Sequence, residues 1–227
     1  MKKPVTLYIL LLALSIGVLF LLNLFLGSVD IPFRSIWNIL WGMDEGESVI
    51  WQNIIWKSRV PQALTAMVAG AGLAVSGLQM QTVFRNPLAG PSVLGISSGA
   101  SLGVAFVVLL SGSIGGIALS RLGFMGEIAL TMAAIIGALS IMALIVYVSQ
   151  KVHGNVTLLI IGVMIGYVAN AVIGVLKFFS VEEDIRAYVI WGLGSFARVS
   201  GNQMMVFVCI MAVLLPLSFL LIKTLNL

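Results

Sequence analysis

Apolar residues in this chain run in long blocks rather than in alternating or one-sided patterns. Six blocks can be marked: Leu7–Leu26, Ile50–Val83, Ser92–Leu110, Ile128–Val148, Thr157–Phe178 and Met204–Ile222. A helix needs about 20 predominantly apolar residues to cross a bilayer, so each block predicts a spanning helix. The second block is longer than that and must tilt or project beyond the bilayer. Pro61 lies inside it and brings no N–H, so a kink near Arg59–Pro61 is expected. Pro216 lies inside the sixth block. Between the first two blocks come Pro32, Trp37, Trp41 and Trp51 with the acids Asp44, Glu45 and Glu47. Tryptophan prefers the membrane–water boundary, which predicts a short interfacial helix over Phe33–Trp41. A second short helix is predicted over Ala187–Leu193, stopped by Gly194 and anchored at the interface by Trp191. The expected fold is an all-α membrane protein, a polytopic helical bundle of about six transmembrane helices, forming one domain over residues 1–227.

Composition agrees with the blocks. Hydrophobic residues make up 60% and charged residues 9% of the 227 positions, where a soluble domain carries about 25% charged residues. Mean hydropathy is +1.15, which excludes an ordinary soluble globule. The net charge of +4 has no basic stripe behind it, so no nucleic-acid partner is expected. The single Cys209 excludes an internal disulfide. Lys2 and Lys3 followed by an apolar run look at first like a secretory signal. The run is too long for that and no small-residue cleavage site follows, so it is read as a first span that stays. No Walker motif or nucleophile–base constellation is present, so the chain is expected to be neither an ATPase nor another enzyme. The eleven methionines are scattered through apolar spans. They suit lipid-facing and core positions, and no metal site is expected.

With the N-terminus cytoplasmic, Lys2, Lys3, Arg85, Lys151 and Lys223 face the cytoplasm and all eight acids face the other side. Seven basic residues, among them Arg34, Lys57, Arg59 and Arg198, then also fall outside. The positive-inside count over the whole chain therefore does not decide, and the Lys2–Lys3 flank of the first span sets the expected orientation.

Small residues punctuate the spans. Ala66, Gly70 and Ala74 lie four apart, and Gly95, Gly99 and Gly103 form two consecutive GxxxG units. That spacing lets two membrane helices approach closely, so Gly70, Gly95, Gly99 and Gly103 are assigned to helix packing. Gly162, Gly166, Asn170 and Gly174 also lie four apart. Asn170 falls mid-span, where an amide is costly unless it is paired or faces water. The face has two readings, a weakly polar wall of a translocation path or a packing face whose amide bonds a neighbour. Asn86-Pro87 and Gly90-Pro91 mark a tight turn between the second and third spans. Arg85 is read as a headgroup anchor there. Glu182, Glu183 and Asp184 either meet a soluble partner or cap the short helix that follows.

Several stretches resemble the FecCD-type permeases of bacterial ABC importers for ferric siderophores, haem and vitamin B12. They are Arg59-Val60-Pro61, Gly70-Ala71-Gly72-Leu73-Ala74-Val75-Ser76-Gly77 with Gln81, and Arg85-Asn86-Pro87-Leu88-Ala89-Gly90-Pro91. To these add Leu94-Gly95-Ile96-Ser97-Ser98-Gly99-Ala100 and, more weakly, Trp191-Gly192-Leu193-Gly194-Ser195. The resemblance implies a permease of about ten spans in the inner (cytoplasmic) membrane, working as a homodimer with a second copy. It implies two cytoplasmic ABC ATPase subunits, which would hold ATP and Mg, and a periplasmic or lipoprotein substrate-binding protein. No cofactor is then bound by this chain. Alternating access along the dimer interface would move the cargo, and the chain corresponds to roughly the first six spans of a longer permease.

Residue by residue, the resemblance makes Arg59 the first of two cations that dock the binding protein, with Gln62 at the second position. Its plain alternative is a headgroup-seeking arginine. It places Arg85, Asn86 and Pro87 at a cytoplasmic turn, most simply a structural hairpin, and His153, Gly154 and Asn155 in a loop of the inner gate. It puts Gly162, Gly166, Asn170 and Gly174 on a span that lines the route. Two other readings stay open, a secondary transporter or channel-like protein without an ATPase, and a fragment that transports nothing.

Overall fold

The computed structural model describes residues 5–43, 46, 48–114, 124–152, 154–197 and 199–220. These are helical throughout, joined by turns: α1 (Val5–Phe25), α2 (Phe33–Leu40), α3 (Val49–Ile54), a π turn (Ile55–Arg59), α4 (Val60–Phe84), α5 (Ile96–Ile114), α6 (Phe124–Ser149), α7 (Asn155–Phe179), α8 (Glu182–Gly192) and α9 (Gly201–Leu220). Among the described residues, five stretches are long and apolar enough to cross a membrane, Val5–Phe25, Val49–Phe84, Met125–Ser149, Asn155–Phe179 and Gly201–Leu220, with a shorter apolar helix over Ile96–Leu110. The chain is an all-α membrane protein.

Two boundaries differ from expectation for local reasons, and Pro61 acts inside a helix. The third helix starts at Ile96 rather than Ser92, because Pro91 to Gly95 form a turn and Gly95 sits at φ +74°, where glycine is at ease. The short helix before the sixth block starts at Glu182 rather than Ala187. Its first turn is Glu182, Glu183 and Asp184, where negative charge meets the positive end of the helix. Glu182 and Glu183 are exposed, and Asp184 is buried with its Oδ2 unpartnered among the described residues. Pro61 gives a π turn inside one continuous 36-residue helical stretch. The Pro61 ring crowds the carbonyl one turn earlier and supplies no N–H. The chain widens just ahead of it, and the Val60 N–H bonds the Ile55 carbonyl, five residues back.

The described residues divide into two compact units, one within residues 5–72 and 195–220, the other within residues 73–194. The first unit is centred on Ile31, Ile36, Ile39 and Ile55, which join α2 to the π turn. The second has two apolar centres. One gathers Val104, Ala105, Val108 and Leu109 of α5 with Ile173 of α7 and Tyr188 of α8. The other gathers Phe84, Ala89, Leu94, Ile145 and Leu159 around the α4–α5 turn.

Candidate functional site

In the second unit, α5 meets α6 and α7 through glycine. A Cβ on Gly99 would lie 2.7 Å from the Gly137 carbonyl oxygen, and one on Gly103 would collide with the Ala133 carbonyl. A Cβ on Gly137 would in turn come within 3.0 Å of the Gly103 Cα. Backbones this close have no room for a side chain, and small residues are what such a crossing requires. At the start of α5, a Cβ on Gly95 would lie 2.9 Å from the Gly162 carbonyl oxygen, and one on Gly162 the same distance from the Leu94 Cα. Gly70 has open space around its Cα hydrogen. Gly137 and Ala133 had no role in the sequence reading, although their own small-xxx-small spacing was visible there.

The four-residue stripe on α7 divides. Gly162 and Gly166 are buried, and Asn170 and Gly174 are exposed. A step of four residues turns the helix by about 40° beyond a full circle, so the stripe winds off the packed face. Ala169 and Ile173 continue the buried line in its place. Between α5, α6 and α7 runs a cleft of about 300 Å³ whose lining, including Leu102, Ile141, Leu144, Met164 and Val168, is apolar.

The α4–α5 turn is built as a helix cap. The Asn86 N–H bonds the Gln81 carbonyl at 3.1 Å and the Arg85 N–H bonds the Thr82 carbonyl at 3.2 Å. This is the Schellman pattern, with Arg85 at φ +48° in the left-handed position that glycine usually fills. Asn86 Oδ1 then accepts the Leu88 N–H at 2.9 Å, and Pro87 follows where a helix cannot continue. The Arg85 side chain and Pro87 are exposed. Asn155 Nδ2 donates to the Val83 carbonyl at 3.1 Å, tying the start of α7 to the end of α4. Gly154 precedes it at φ +110°. Nearby in sequence, Lys151 Nζ, in the turn after α6, donates to the Tyr147 hydroxyl of that helix at 2.6 Å. His153 lies outside the described residues.

In the first unit Arg59 takes a place the sequence did not suggest. The expectation set it at an outer rim, facing a soluble partner. It is 5% exposed, and Nη1 donates to the carbonyls of Leu24 at 2.6 Å and Phe25 at 3.3 Å, while Nη2 donates to that of Val29. The last carbonyls of a helix have no partner within the helix and carry its negative end. Arg59 therefore caps α1 from 35 residues away. Gly27 makes room, since a Cβ there would lie 2.7 Å from Nη2. In the same segment Gln62 is half-buried and Lys57 is exposed. Arg34 of α2 is exposed as well.

Long apolar helices that meet through glycine define a multi-pass helical membrane protein. The chain belongs to the FecCD transport family, which it matches over residues 12–227. It is 35% identical to the hemin transport system permease protein HmuU of Yersinia pestis over 182 residues, covering 80% of this chain and 51% of that protein. It is also 35% identical to the vitamin B12 import system permease protein BtuC of Serratia proteamaculans, over 92% of this chain and 56% of that one. Among solved structures, one of a transporter assigned to the metal-chelate ABC type, in an inward-facing conformation, aligns with a TM-score of 0.72 at 26% identity. That alignment covers 95% of this chain and 62% of the other. This chain spans about half the length of the curated relatives it matches.

Proposed function

We propose that this chain serves as transmembrane permease, or as the part of one that it spans, in an ATP-binding-cassette importer for an iron chelate, haem or cobalamin. The match to the FecCD transport family over residues 12–227 carries the reading. The names of the relatives, a hemin and a vitamin B12 permease, support the cargo class. The permease sits in the bacterial inner membrane with its N-terminus in the cytoplasm, pairs with a second copy, and receives cargo from a soluble binding protein. ATP and Mg are held by separate ATPase subunits.

Within this reading, Asn170 and Gly174 are the wall of the route, since their exposure leaves them open to it. A path needs such weak, smooth contacts because the cargo must also leave. Gly162 and Gly166, buried against α5, hold that wall in place. Exposed Lys57, rather than the engaged Arg59, is the cation of this segment assigned to docking, beside Gln62. Arg85 to Pro87 and Gly154–Asn155 form the cytoplasmic turns.

The test is co-expression of the complete permease with its ATPase, followed by transport in proteoliposomes. ATP-dependent uptake of a ferric chelate, haem or cobalamin is expected. Consistent failure to co-purify with any ATPase, together with uptake driven by an ion gradient, would replace the importer with a secondary transporter. A cysteine at Asn170 should react with a thiol reagent at a rate that changes between ATP-bound and nucleotide-free states. A nucleotide-independent rate would remove Asn170 from the route.

A further inference from the structure

The exposed side of α2 carries a ladder of rings. Phe33, Trp37 and Trp41 are 64%, 46% and 64% exposed. Their centroids are spaced 6.4 Å (Phe33 to Trp37) and 5.8 Å (Trp37 to Trp41). Phe25, the last residue of α1, extends the ladder by stacking on Phe33 at 4.7 Å with 24° between the planes. At about 100° per residue the three rings of α2 occupy an arc of roughly 80°. On one side of that arc come Ser35, Ile36 and Ile39, buried against Ile31 and Ile55. On the other side comes Arg34, exposed. The segment thus shows three faces in order: aliphatic toward the protein, aromatic, and cationic.

We infer that this aromatic face seats α2 in the headgroup layer of the bilayer, with the rings at the edge of the acyl chains and Arg34 toward the phosphates. The bilayer, and not a soluble protein, is the partner for three reasons. First, α1 is a 21-residue apolar helix long enough to cross a membrane, and α2 follows it after a short turn, so α2 lies at the membrane boundary. Second, 21 residues at about 1.5 Å each match the roughly 30 Å hydrocarbon core. The end of α1 therefore lies at the hydrocarbon boundary, and the Phe25–Phe33 stack starts the ladder at that depth. Third, an apolar ring with a polar rim beside an arginine is the chemistry favoured at that depth, where tryptophan is enriched and long cations reach out to phosphate. The inference rests on the membrane reading of α1 and is independent of cargo, ATPase or binding protein.

The complete protein in phospholipid nanodiscs provides the test. In one variant Trp37 is the sole tryptophan and in a second Trp41 is, with the remaining tryptophans changed to phenylalanine. Nitroxide-labelled lipids carry the quencher either near the carbonyl or at the chain end. Quenching about twofold stronger from the carbonyl-proximal label is expected for both residues. Quenching by aqueous acrylamide with no response to either lipid label would overturn the inference, as would protection that appears only when a soluble partner is added. Should the single-tryptophan variants fail to fold, a spin label at Arg34→Cys in a Cys209→Ala background replaces them. Its relaxation should report headgroup depth, and relaxation typical of bulk water would likewise overturn the seating.

Discussion

Changing Arg59 to alanine would leave the last carbonyls of α1 without the cation that now holds them. Three carbonyl oxygens, those of Leu24, Phe25 and Val29, accept from a guanidinium that is 5% exposed. Each hydrogen bond to a charged group is worth about 1.5–3 kcal/mol, and a buried acceptor left alone adds its own desolvation cost. Water or headgroups at the end of α1 recover part of that. The net loss then falls near ~3–5 kcal/mol, the range seen when one partner of a buried charged arrangement is removed. At about 2–4 °C per kcal/mol for a chain of this size, the unfolding midpoint in detergent should drop by roughly 10 °C. Arg59→Lys should fall between, because a point donor cannot reach all three carbonyls at once.

A second perturbation makes the reasoning sharper. Gly27→Ala places a methyl 2.7 Å from Nη2 and should displace the guanidinium without touching its charge. Its cost should be large in the native background and small once Arg59 is alanine, since both changes break one arrangement. Neither loss should depend on salt, because a buried contact is little screened. The assay is thermal unfolding of the native protein and the three variants of this cycle at low and high salt, beside binding of a soluble partner. An Arg59→Ala protein with the native midpoint, additive effects at Gly27, and a salt-dependent loss of partner binding would refute the clamp and restore Arg59 to the rim.

Three further outcomes follow from the glycine contacts, the α4–α5 turn and the tie between α4 and α7. Gly103→Ala drives a methyl into the Ala133 carbonyl and should cost about 1–3 kcal/mol as overpacking, whereas Gly70→Ala, with open space, should be neutral or stabilising by up to ~1 kcal/mol; thermal unfolding of the pair compares them. Arg85→Gly should raise stability by about 1 kcal/mol, because the left-handed backbone at this residue is one that a Cβ disfavours. Asn155→Ala should cost roughly 1 kcal/mol by orphaning the Val83 carbonyl, read out as faster amide exchange at the end of α4.

Much of the fold was legible because a membrane span announces itself by length and composition alone. The apolar blocks overlap the helices α1, α4, α5, α6, α7 and α9. The ends were less legible, since an apolar run continues into a turn without a change of character. Ser92 to Gly95 reads as span, yet it is turn, and only the left-handed Gly95 marks where the helix can begin. The acids at 182–184 read as connection, although acidic residues belong to a first helical turn as readily as to a loop. Arg59 was illegible for a different reason. Its partners are backbone carbonyls 30 to 35 residues away, and a backbone acceptor leaves no signature in the side-chain sequence.

The α7 stripe shows how the period of the helix, and not the spacing of the residues, decides what a motif does. Gly162, Gly166, Asn170 and Gly174 look like one face because they recur every four positions. A helix with 3.6 residues per turn carries such a row steadily around its axis. Over three steps the row turns through about 120°, enough to leave one neighbour and reach open surface. The first two glycines therefore answer to α5 and the turn before it: a methyl on Gly162 would strike the Leu94 backbone, and one on Gly166 would rest in contact with Gly95 and Ser98. The last two members, Asn170 and Gly174, meet nothing of the same kind, and a Cβ on Gly174 would find open space. One row of small residues thus supplies both a fixed contact and the exposed surface beyond it. Under the proposed permease reading, a substitution that enlarges Gly174 should slow ATP-driven uptake in proteoliposomes and leave the unfolding midpoint unchanged, while the same change at Gly162 should lower that midpoint by unseating α7 from α5.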